Sequence, residues 1–309
     1  MRNKTEIPLK QMIKIIGITS SKYYRWLHMV GQEANGNKVI PKKKCLLPEE
    51  KEAIINFARE NYANNDLFVK TGYRRIAYII LDKDIVHVSP SSVYRVLKEA
   101  NLLNKWNTKK SNQKGNGFKQ PDSLHQHWHT DIKYIKVQGK TLFLITVIDG
   151  YSRYITHHEV RQNMSELDVQ ITIQKAKDKY PDAKPRIITD NGSQFISKEF
   201  GQFIDQIGAT HIRTSVGYPQ SNGKIERFNR TISGECLRIR PVFSVEKQKE
   251  VINGYIEYYN NERLHSAIHY LTPSDVMNNL DTEILANREK KLILAQEKRK
   301  RYWRENGAA

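Results

Sequence analysis

Cysteine is scarce in this sequence, which also lacks long apolar runs and an excess of acidic residues. Its 309 residues include only Cys45 and Cys236, too few for a disulfide framework or a Cys/His zinc finger. No stretch contains the roughly 18 consecutive apolar residues of a transmembrane helix. Residues 1–17 also lack the apolar segment and small-residue cleavage site of a secretory signal. The composition therefore predicts a soluble, intracellular protein in a reducing compartment.

Basic residues outnumber acidic residues by 51 to 33, which gives a formal net charge of +18 and a pI near 9.7. The surplus is uneven, because residues 1–121 carry +13, residues 122–280 carry +2 and residues 281–309 carry +3. Such a balance predicts a polyanionic partner, with nucleic acid favoured over an anionic membrane. The hydrophobic fraction of 39% is enough to build a core, which argues against a wholly disordered basic protein.

Composition and periodicity divide the chain into five segments. The run that starts at Lys105 is rich in Lys, Asn, Gln and Gly and has almost no aliphatic residues, so it predicts a linker. Helical spacing dominates before this linker, and strand-like alternation follows it. The predicted segments are an N-terminal helix-turn-helix with a basic connector at 1–47, a second helix-turn-helix-like domain at 48–104, a linker at 105–121, an α/β core at 122–280 and a basic helical tail at 281–309.

Two helical units before the linker have the pattern of DNA-binding helix-turn-helix domains. In the first, a helix ends at Gly17 and a second helix carries basic residues, which is typical of a major-groove reader. An ordinary helical hairpin, and for the basic residues a merely solvated face, fit the same spacing. The residues predicted to contact DNA here are Lys22, Arg25, Lys42, Lys43, Lys44, Arg74, Arg75 and Arg95.

Past the linker, the apolar pattern changes to that of a mixed α/β fold. Alternation and one nearly continuous apolar run predict three strands in succession, followed by alternating helices and short strands. The predicted elements are strands at 131–137, 141–149 and 153–160, a helix at 165–179, a strand at 186–189, a helix at 195–207, a strand at 210–213 and a helix from about residue 222. The order βββ-α-β-α-β-α is typical of a layered α/β fold.

Three acidic residues lie where such a fold can bring them together. Asp131 opens the first predicted strand, Asp190 ends the fourth, and Glu226 follows Asp190 with 35 residues between them. Clustered carboxylates repel each other, so this arrangement predicts divalent cations, and two Mg²⁺ ions can activate a water or a 3′-hydroxyl in phosphodiester chemistry. Each acid alone also has a plain structural explanation: a strand cap, an Asx turn and a solvated helix residue.

Several motifs resemble insertion-sequence transposases with a retroviral-integrase-like core. Around the acids they are Trp128-x-x-Asp131, Thr189-Asp190-Asn191-Gly192-Ser193-Gln194-Phe195, and the run from Tyr218 to Asn229. The spacing of 35 residues matches the Asp, Asp, 35, Glu pattern of that core. Segments 17–24, 72–76, 259–266 and 270–273 resemble the second-frame product of two-frame elements. The resemblance covers residues 10–280, and the tail at 281–309 lies outside it.

The resemblance implies an RNase H-like mixed sheet with flanking helices, preceded by all-α helix-turn-helix units and followed by a helical basic tail. It implies that Asp131, Asp190 and Glu226 are both catalytic residues and metal ligands, for two Mg²⁺ or Mn²⁺ ions per active site. Retroviral integrases carry an N-terminal His/Cys zinc module, and this chain has no such spacing, which favours end recognition by helix-turn-helix units. A metal site at His125, His127 and His129 is a weaker alternative.

Residues beside the three acids have predicted roles of their own. The candidates are DNA-contacting Lys224, Arg227 and Arg230 and supporting Asn191, Gly192, Asn222 and Gly223. The basic side chains would meet phosphates, although Arg227 could instead pair with an acid on its helix. Asn191 would orient a nucleotide or form an Asx turn, the glycines would permit tight turns, and Asn222 would hold a DNA terminus or cap the helix.

Together these features predict a DNA transposase, an Asp/Asp/Glu metal-dependent polynucleotidyl transferase that binds element ends, cleaves them and joins them to target DNA. The alternatives are a non-catalytic DNA-binding regulator that retains the fold and an RNase H-like nuclease. The expected partners are double-stranded DNA, at least one further copy of the chain, and an upstream-frame product as another candidate. No membrane partner is expected, and the expected location is the bacterial cytoplasm, on the nucleoid.

Overall fold

The computed structural model describes six stretches of the chain, which are residues 8–29, 45–63, 71–103, 120–213, 222–239 and 242–306. The predicted linker lies outside them except for its last two residues, as do the Lys42-Lys43-Lys44 run and residues 214–221 before the last core helix. The chain forms two compact units, Met1–Cys45 with Gln296–Ala309 and Leu46–Ala295. Among the described helices, none combines the length and the apolar character needed to cross a membrane.

The described elements follow the predicted order. The helices are α1 (Leu9–Ile16), α2 (Ser20–Met29), α3 (Pro48–Ala63), α4 (Tyr73–Asp82), α5 (Pro90–Glu99), α6 (Glu166–Lys179), α7 (Lys198–Gln206), α8 (Gly223–Ile232), α9 (Val245–Asn261), α10 (Pro273–Met277) and α11 (Asp281–Asn306). The strands are β1 (His127–Val137), β2 (Lys140–Asp149), β3 (Ile155–Arg161), β4 (Arg186–Thr189) and β5 (Thr210–Arg213). A π-helical turn, Ser233–Leu237, continues α8.

The smaller unit contains the predicted helix, glycine turn and helix. Gly17 ends α1 in the left-handed conformation, with φ of 71°, which a residue without a β-carbon adopts at little cost. The Thr19 hydroxyl accepts a bond from the backbone N–H of Lys22 and caps α2. In the same unit, the indole of Trp303 donates a 2.9 Å hydrogen bond to the carbonyl oxygen of Cys45.

Within the larger unit, α3, α4 and α5 pack around one apolar cluster. The side chains of Ile54, Ile76, Ile80, Val93 and Leu97 are fully buried in it. Pro90 occupies the first turn of α5, where its missing N–H leaves no intrahelical bond unmade. Helices α3, α4 and α5 therefore share one apolar core.

The core of the larger unit is a five-stranded mixed sheet with the order β3-β2-β1-β4-β5. The β1–β2 and β2–β3 pairs are antiparallel, whereas β4 runs parallel to β1 and β5 parallel to β4. Trp128 and Ile132 face an apolar cluster shared with α6 and α7, whereas Ile135 and Val137 face one shared with α8 and α9. The predicted mixed sheet with flanking helices is confirmed, and β1 is its central strand.

Two predicted boundaries differ from the structure by several residues. The first strand begins at His127, so Asp131 lies in its middle and does not open it. Residues 127–129 pair with β4, and Trp128 and His129 pair with β2 as well. These buried positions hold two histidines, so a search for alternating aliphatic residues does not detect them. The helix predicted at 195–207 begins only at Lys198, capped by the Ser197 hydroxyl. The last core helix, α8, ends at Ile232 and passes into the π-helical turn.

Candidate active site

Asp131 is the best-defined carboxylate of the predicted site. Its Oδ1 atom accepts a 2.8 Å bond from the backbone N–H of Ile132, and its Oδ2 atom accepts a 2.8 Å bond from the side-chain amide of Asn229 on α8. The pKa of Asp131 is raised to about 6: burial raises it most, the nearby Asp190 and Glu226 carboxylates also raise it, and the two hydrogen bonds oppose these effects. The negative charge of Asp131 is therefore unfavourable where it stands.

Asp190 directly follows β4, level with Asp131. The parallel β1–β4 register pairs His129 with Ile188, and each carboxylate comes two residues later on its own strand. The Asp190 Oδ1 atom accepts a 3.0 Å bond from the backbone N–H of Gly192, so the Asx turn considered above is present. A β-carbon at Gly192 would meet only the flexible end of the Gln194 side chain, and the backbone there has an ordinary φ of −59°, so neither feature requires glycine.

Glu226 lies in the first turn of α8 and is exposed, whereas Ile225 and Phe228 on the same helix are buried in the core. Its charge reaches Asp131, since it contributes to the raised pKa of that carboxyl. In the part of the chain that the structure describes, no three His, Cys, Asp or Glu side chains lie close enough to hold a metal ion. The structure thus brings the three acids into one region without closing a set of metal ligands.

A row of buried polar side chains continues from Asp131 along β1. Successive side chains of β1 point to opposite faces of the sheet, so His127 and His129 lie on the same face as Asp131. This is the face that α8 covers. Burial, and after it the Lys224 and Arg153 cations, lowers the pKa of His129 to about 3, so its ring is neutral. Neither ring nitrogen of His129 has a hydrogen-bond partner among the described residues, and the buried Asn222 side chain lies nearby.

The three predicted DNA-contacting residues of α8 have different surroundings. Arg227 and Arg230 are exposed and available to phosphates. The Nζ atom of Lys224 is buried instead, and burial, followed by the Arg153 cation, lowers the pKa of Lys224 to about 8. Among the described residues, nothing lies within 4 Å of a β-carbon placed at Gly223, and its backbone is not left-handed.

A buried ion-pair network lies beyond α8 and was not predicted from the sequence. Glu235 in the π-helical turn accepts two hydrogen bonds from Arg263, of 2.6 and 2.7 Å, and one of 2.9 Å from the Tyr255 hydroxyl. Arg75, predicted to contact DNA, also reaches Glu235, at 3.5 Å. No local sequence pattern predicts that Arg263 is buried or that its partner is Glu235, 28 residues away.

Of the remaining predicted DNA contacts, those that the structure describes lie on exposed helix surfaces of their own units. Lys22 stands 5.1 Å from the ring centre of Trp26, and Arg25 is exposed on the same helix. Arg74 donates to the Tyr73 hydroxyl at 3.1 Å, and Arg95 donates to Ser91 and Ser92 at 3.4 Å. None of these contacts neutralises a positive charge, so the side chains keep their charge for a polyanion.

Several known proteins are similar to parts of this chain. Residues 121–219 and 207–273 each match a family model described as "Integrase core domain". An uncharacterised 31.7 kDa protein of insertion element IS407 from Burkholderia multivorans is 24% identical over 280 residues, which cover 89% of this chain and 92% of that protein. The transposase for insertion sequence element IS904 of Lactococcus lactis is 29% identical over 175 residues, which cover 53% of this chain and 69% of that protein.

Among solved structures, the HTLV-2 integrase catalytic core domain in complex with magnesium is similar at a TM-score of 0.40 and 19% identity, covering 49% of this chain and 95% of that one. Together the two matches cover residues 121–273 without a gap. This range contains the whole mixed sheet and helices α6 to α9. Residues 121–273 are therefore similar to integrase core domains, and the chain is similar to proteins of bacterial insertion elements over up to 89% of its length.

Proposed function

We propose that this chain is a DNA transposase that cleaves element ends and joins them to target DNA, with Asp131, Asp190 and Glu226 as the catalytic carboxylates. The observation that carries the proposal is the position of Asp131, a carboxylate in the central strand beside Asp190 and Glu226, with a pKa raised to about 6. Such a charge is costly by itself and becomes favourable beside a cation.

The donor set fits Mg²⁺ or Mn²⁺, since carboxylate oxygens are the ligands these ions prefer. The hydrogen bonds to Asp131 and Asp190 use one lone pair of an oxygen and leave others free, while Glu226 is exposed and reachable. Two bound ions would supply an activated water or 3′-hydroxyl and stabilise the leaving oxygen. The chain itself contributes orientation: Asn229 fixes the Asp131 carboxylate, and the backbone N–H of Gly192 fixes that of Asp190.

Substrate binding is assigned to the basic side chains. The surplus of +13 over residues 1–121, together with the helical hairpin of α1 and α2, favours duplex DNA over an RNA–DNA hybrid. Arg227 and Arg230 on α8 would hold phosphates close to the carboxylates. Because two element ends must be joined in one event, the active form would contain at least two copies of the chain.

The test uses purified full-length chain, an element-end duplex and Mg²⁺. Asp190→Asn and Glu226→Gln are expected to abolish cleavage and joining while leaving the Kd for the duplex within about twofold. Asp205→Asn, which removes an exposed carboxylate from α7, is the matched control and should keep full activity. Strand joining by purified Asp190→Asn would refute the carboxylate assignment. Wild-type chain that binds the duplex without cleaving it would indicate a regulator, and preferential cleavage of an RNA–DNA hybrid would indicate a nuclease.

A further inference from the structure

A strongly cationic cavity lies on the side of α8 that faces α9 and the segment after it. Its volume is about 350 Å³, and its walls include five cationic side chains, Arg75, Arg153, Lys224, Arg227 and Arg263. No carboxylate is among the described residues that line it. All of these side chains belong to the larger compact unit.

The positive charge of the cavity is only partly compensated. Glu235 pairs with Arg263 and Arg75 and so compensates the positive charge on one side of the cavity. On the other side, the Nη1 atom of Arg153 and the Nζ atom of Lys224 are buried without a hydrogen-bond partner among the described residues. Two buried cations in mutual repulsion are costly, because each has lost water and gained no anion in return.

Asp149 lies near both cations, but its carboxylate is already occupied by other hydrogen bonds. Asp149 attracts Arg153 and Lys224 electrostatically. Its carboxylate oxygens, however, accept bonds of 2.7 to 3.1 Å from the backbone N–H groups of three residues and from one hydroxyl. These donors are the backbone of His125, Tyr151 and Ser152 and the hydroxyl of Ser152.

The same bonds hold Arg153 rigidly in place. Asp149 organises the turn from Gly150 to Arg153, and its own carbonyl oxygen accepts a 3.0 Å bond from the Arg153 N–H. Arg153 has a left-handed backbone, with φ of 65°, which costs a side chain with a β-carbon roughly 1 kcal/mol or more. A strained residue whose side chain lines a cavity, with one buried guanidinium nitrogen that lacks a hydrogen-bond partner among the described residues, is typical of a preorganised binding site.

We propose that this cavity binds a phosphate group between Arg153 and Lys224, with the exposed Arg227 at its rim. Guanidinium and ammonium groups are the side chains that bind phosphate most strongly, and the first turn of α8 adds the partial positive charge of a helix N-terminus. The phosphate has two sources, the backbone of bound DNA or a free phosphate ion. The DNA source rests on the proposed function, and there the site would fix the helix of Glu226 against the substrate.

The DNA arm of the test measures Kd for the element-end duplex as a function of salt, with the full-length chain. Arg153→Gln should weaken binding by about tenfold and reduce the slope of log Kd against log salt by about one, the value for one lost phosphate contact. The matched control, Lys140→Gln, removes an exposed charge from the β1–β2 hairpin, six residues along β1 from the level of Asp131, and should change Kd by less than about twofold.

The phosphate arm measures Tm with inorganic phosphate at constant ionic strength. Wild-type chain should be stabilised by phosphate, and Arg153→Gln should not respond. Without phosphate, the Tm of Arg153→Gln should equal or exceed that of wild type, because the substitution removes an uncompensated buried charge. A response in both arms identifies a DNA phosphate, and a response in the phosphate arm alone identifies a free ion.

Two results would overturn the phosphate site. One is wild-type behaviour of Arg153→Gln in both arms, and the other is a ligand-free Tm several degrees below that of wild type, which would make Arg153 a structural residue. Failure of the proposed function gives a different result, since wild-type chain would then bind no duplex or join no strands while still responding to inorganic phosphate.

Discussion

The side-chain amide of Asn229 donates a 2.8 Å hydrogen bond to the Oδ2 atom of Asp131 and so connects α8 with the central strand. Asn229 comes three residues after Glu226 and shares its side of the helix. The bond lowers the pKa of Asp131 against the effect of burial, which raises it. Asn229 is therefore a positioning residue that keeps the carboxylate oriented and favours its ionised form.

Asn229→Leu should make DNA strand joining more dependent on high pH. Without the amide, the pKa of Asp131 rises above its value of about 6, so fewer molecules have the ionised carboxylate near neutral pH. The acid limb of the pH–rate profile should move upward, and for a rise of about one pKa unit the activity at pH 7 should fall by about twofold and recover toward pH 9. Strand joining measured across this pH range with constant Mg²⁺ provides the test.

Asn261→Leu is the matched control for this experiment, because the Asn261 amide donates to Glu257 on the exposed side of α9 and touches no predicted catalytic residue. Its pH–rate profile should coincide with that of wild type. If Asn229→Leu lowers activity equally at every pH, the Asn229 amide acts by some other route than the ionisation of Asp131.

Asp131→Asn should stabilise the metal-free chain at neutral pH. A folded-state pKa of about 6, above the unfolded value, means that the folded chain holds this proton more tightly. The resulting stabilisation of wild type is complete below about pH 4 and is lost as pH rises through about 6. The variant, which carries no charge there, should gain up to about 3 kcal/mol at pH 7–8 and nothing at pH 4.

Urea unfolding of the metal-free chain at pH 4 and pH 8 measures this difference, with Asp205→Asn as the exposed control. An Asp131→Asn variant that is less stable than wild type at pH 8 would contradict the burial of an uncompensated charge. Added Mg²⁺ should stabilise wild type but not the variant, because binding to the folded state adds to its stability.

Elements set by local chemistry were predictable from the sequence. The end of α1 at Gly17 and the nearly continuous apolar strand β2 followed from turn chemistry and periodicity. The beginning of β1 did not, because the buried ladder positions there hold His127 and His129, whose burial depends on α8 packing over them. The acids were found by motif, whereas Asn229 was missed although its position one helical turn after Glu226 is a readable signal.

Long-range charge networks had no such signal. From the sequence, Arg75 and Lys224 were both predicted as exposed DNA contacts. Only the tertiary structure shows that Arg75 pairs with Glu235 and that Lys224 lines a cavity. Burial of a charge is decided by partners distant in sequence, so a local pattern cannot separate a solvated arginine from a buried one. The same limit applied to Arg153, whose turn has no motif.

Glu235→Gln should destabilise the larger unit severely. The substitution leaves the guanidinium of Arg263, which is only 6% exposed, without its carboxylate, and it weakens the bonds from Tyr255 and Arg75. Loss of one partner from a buried ion pair costs about 3–5 kcal/mol. Urea unfolding should show this loss, whereas Glu257→Gln on the exposed face of α9 should stay within about 0.5 kcal/mol of wild type. A loss below about 1 kcal/mol at Glu235 would show that water reaches the pair.

Arg288→Lys should destabilise the larger unit although it conserves charge. Arg288, in the predicted basic tail, donates through two nitrogens to Asp82 on α4 at 2.7 and 2.8 Å and to the carbonyl oxygens of His269 and Tyr270. Its guanidinium also lies 4.8 Å from the ring centre of Tyr78. A lysine cannot reproduce the planar fork, so we expect a loss of about 1–3 kcal/mol by urea unfolding. Arg304→Lys, at an exposed position of α11, should be neutral. Equal stability of both variants would mean that charge alone holds this part of α11 to α4.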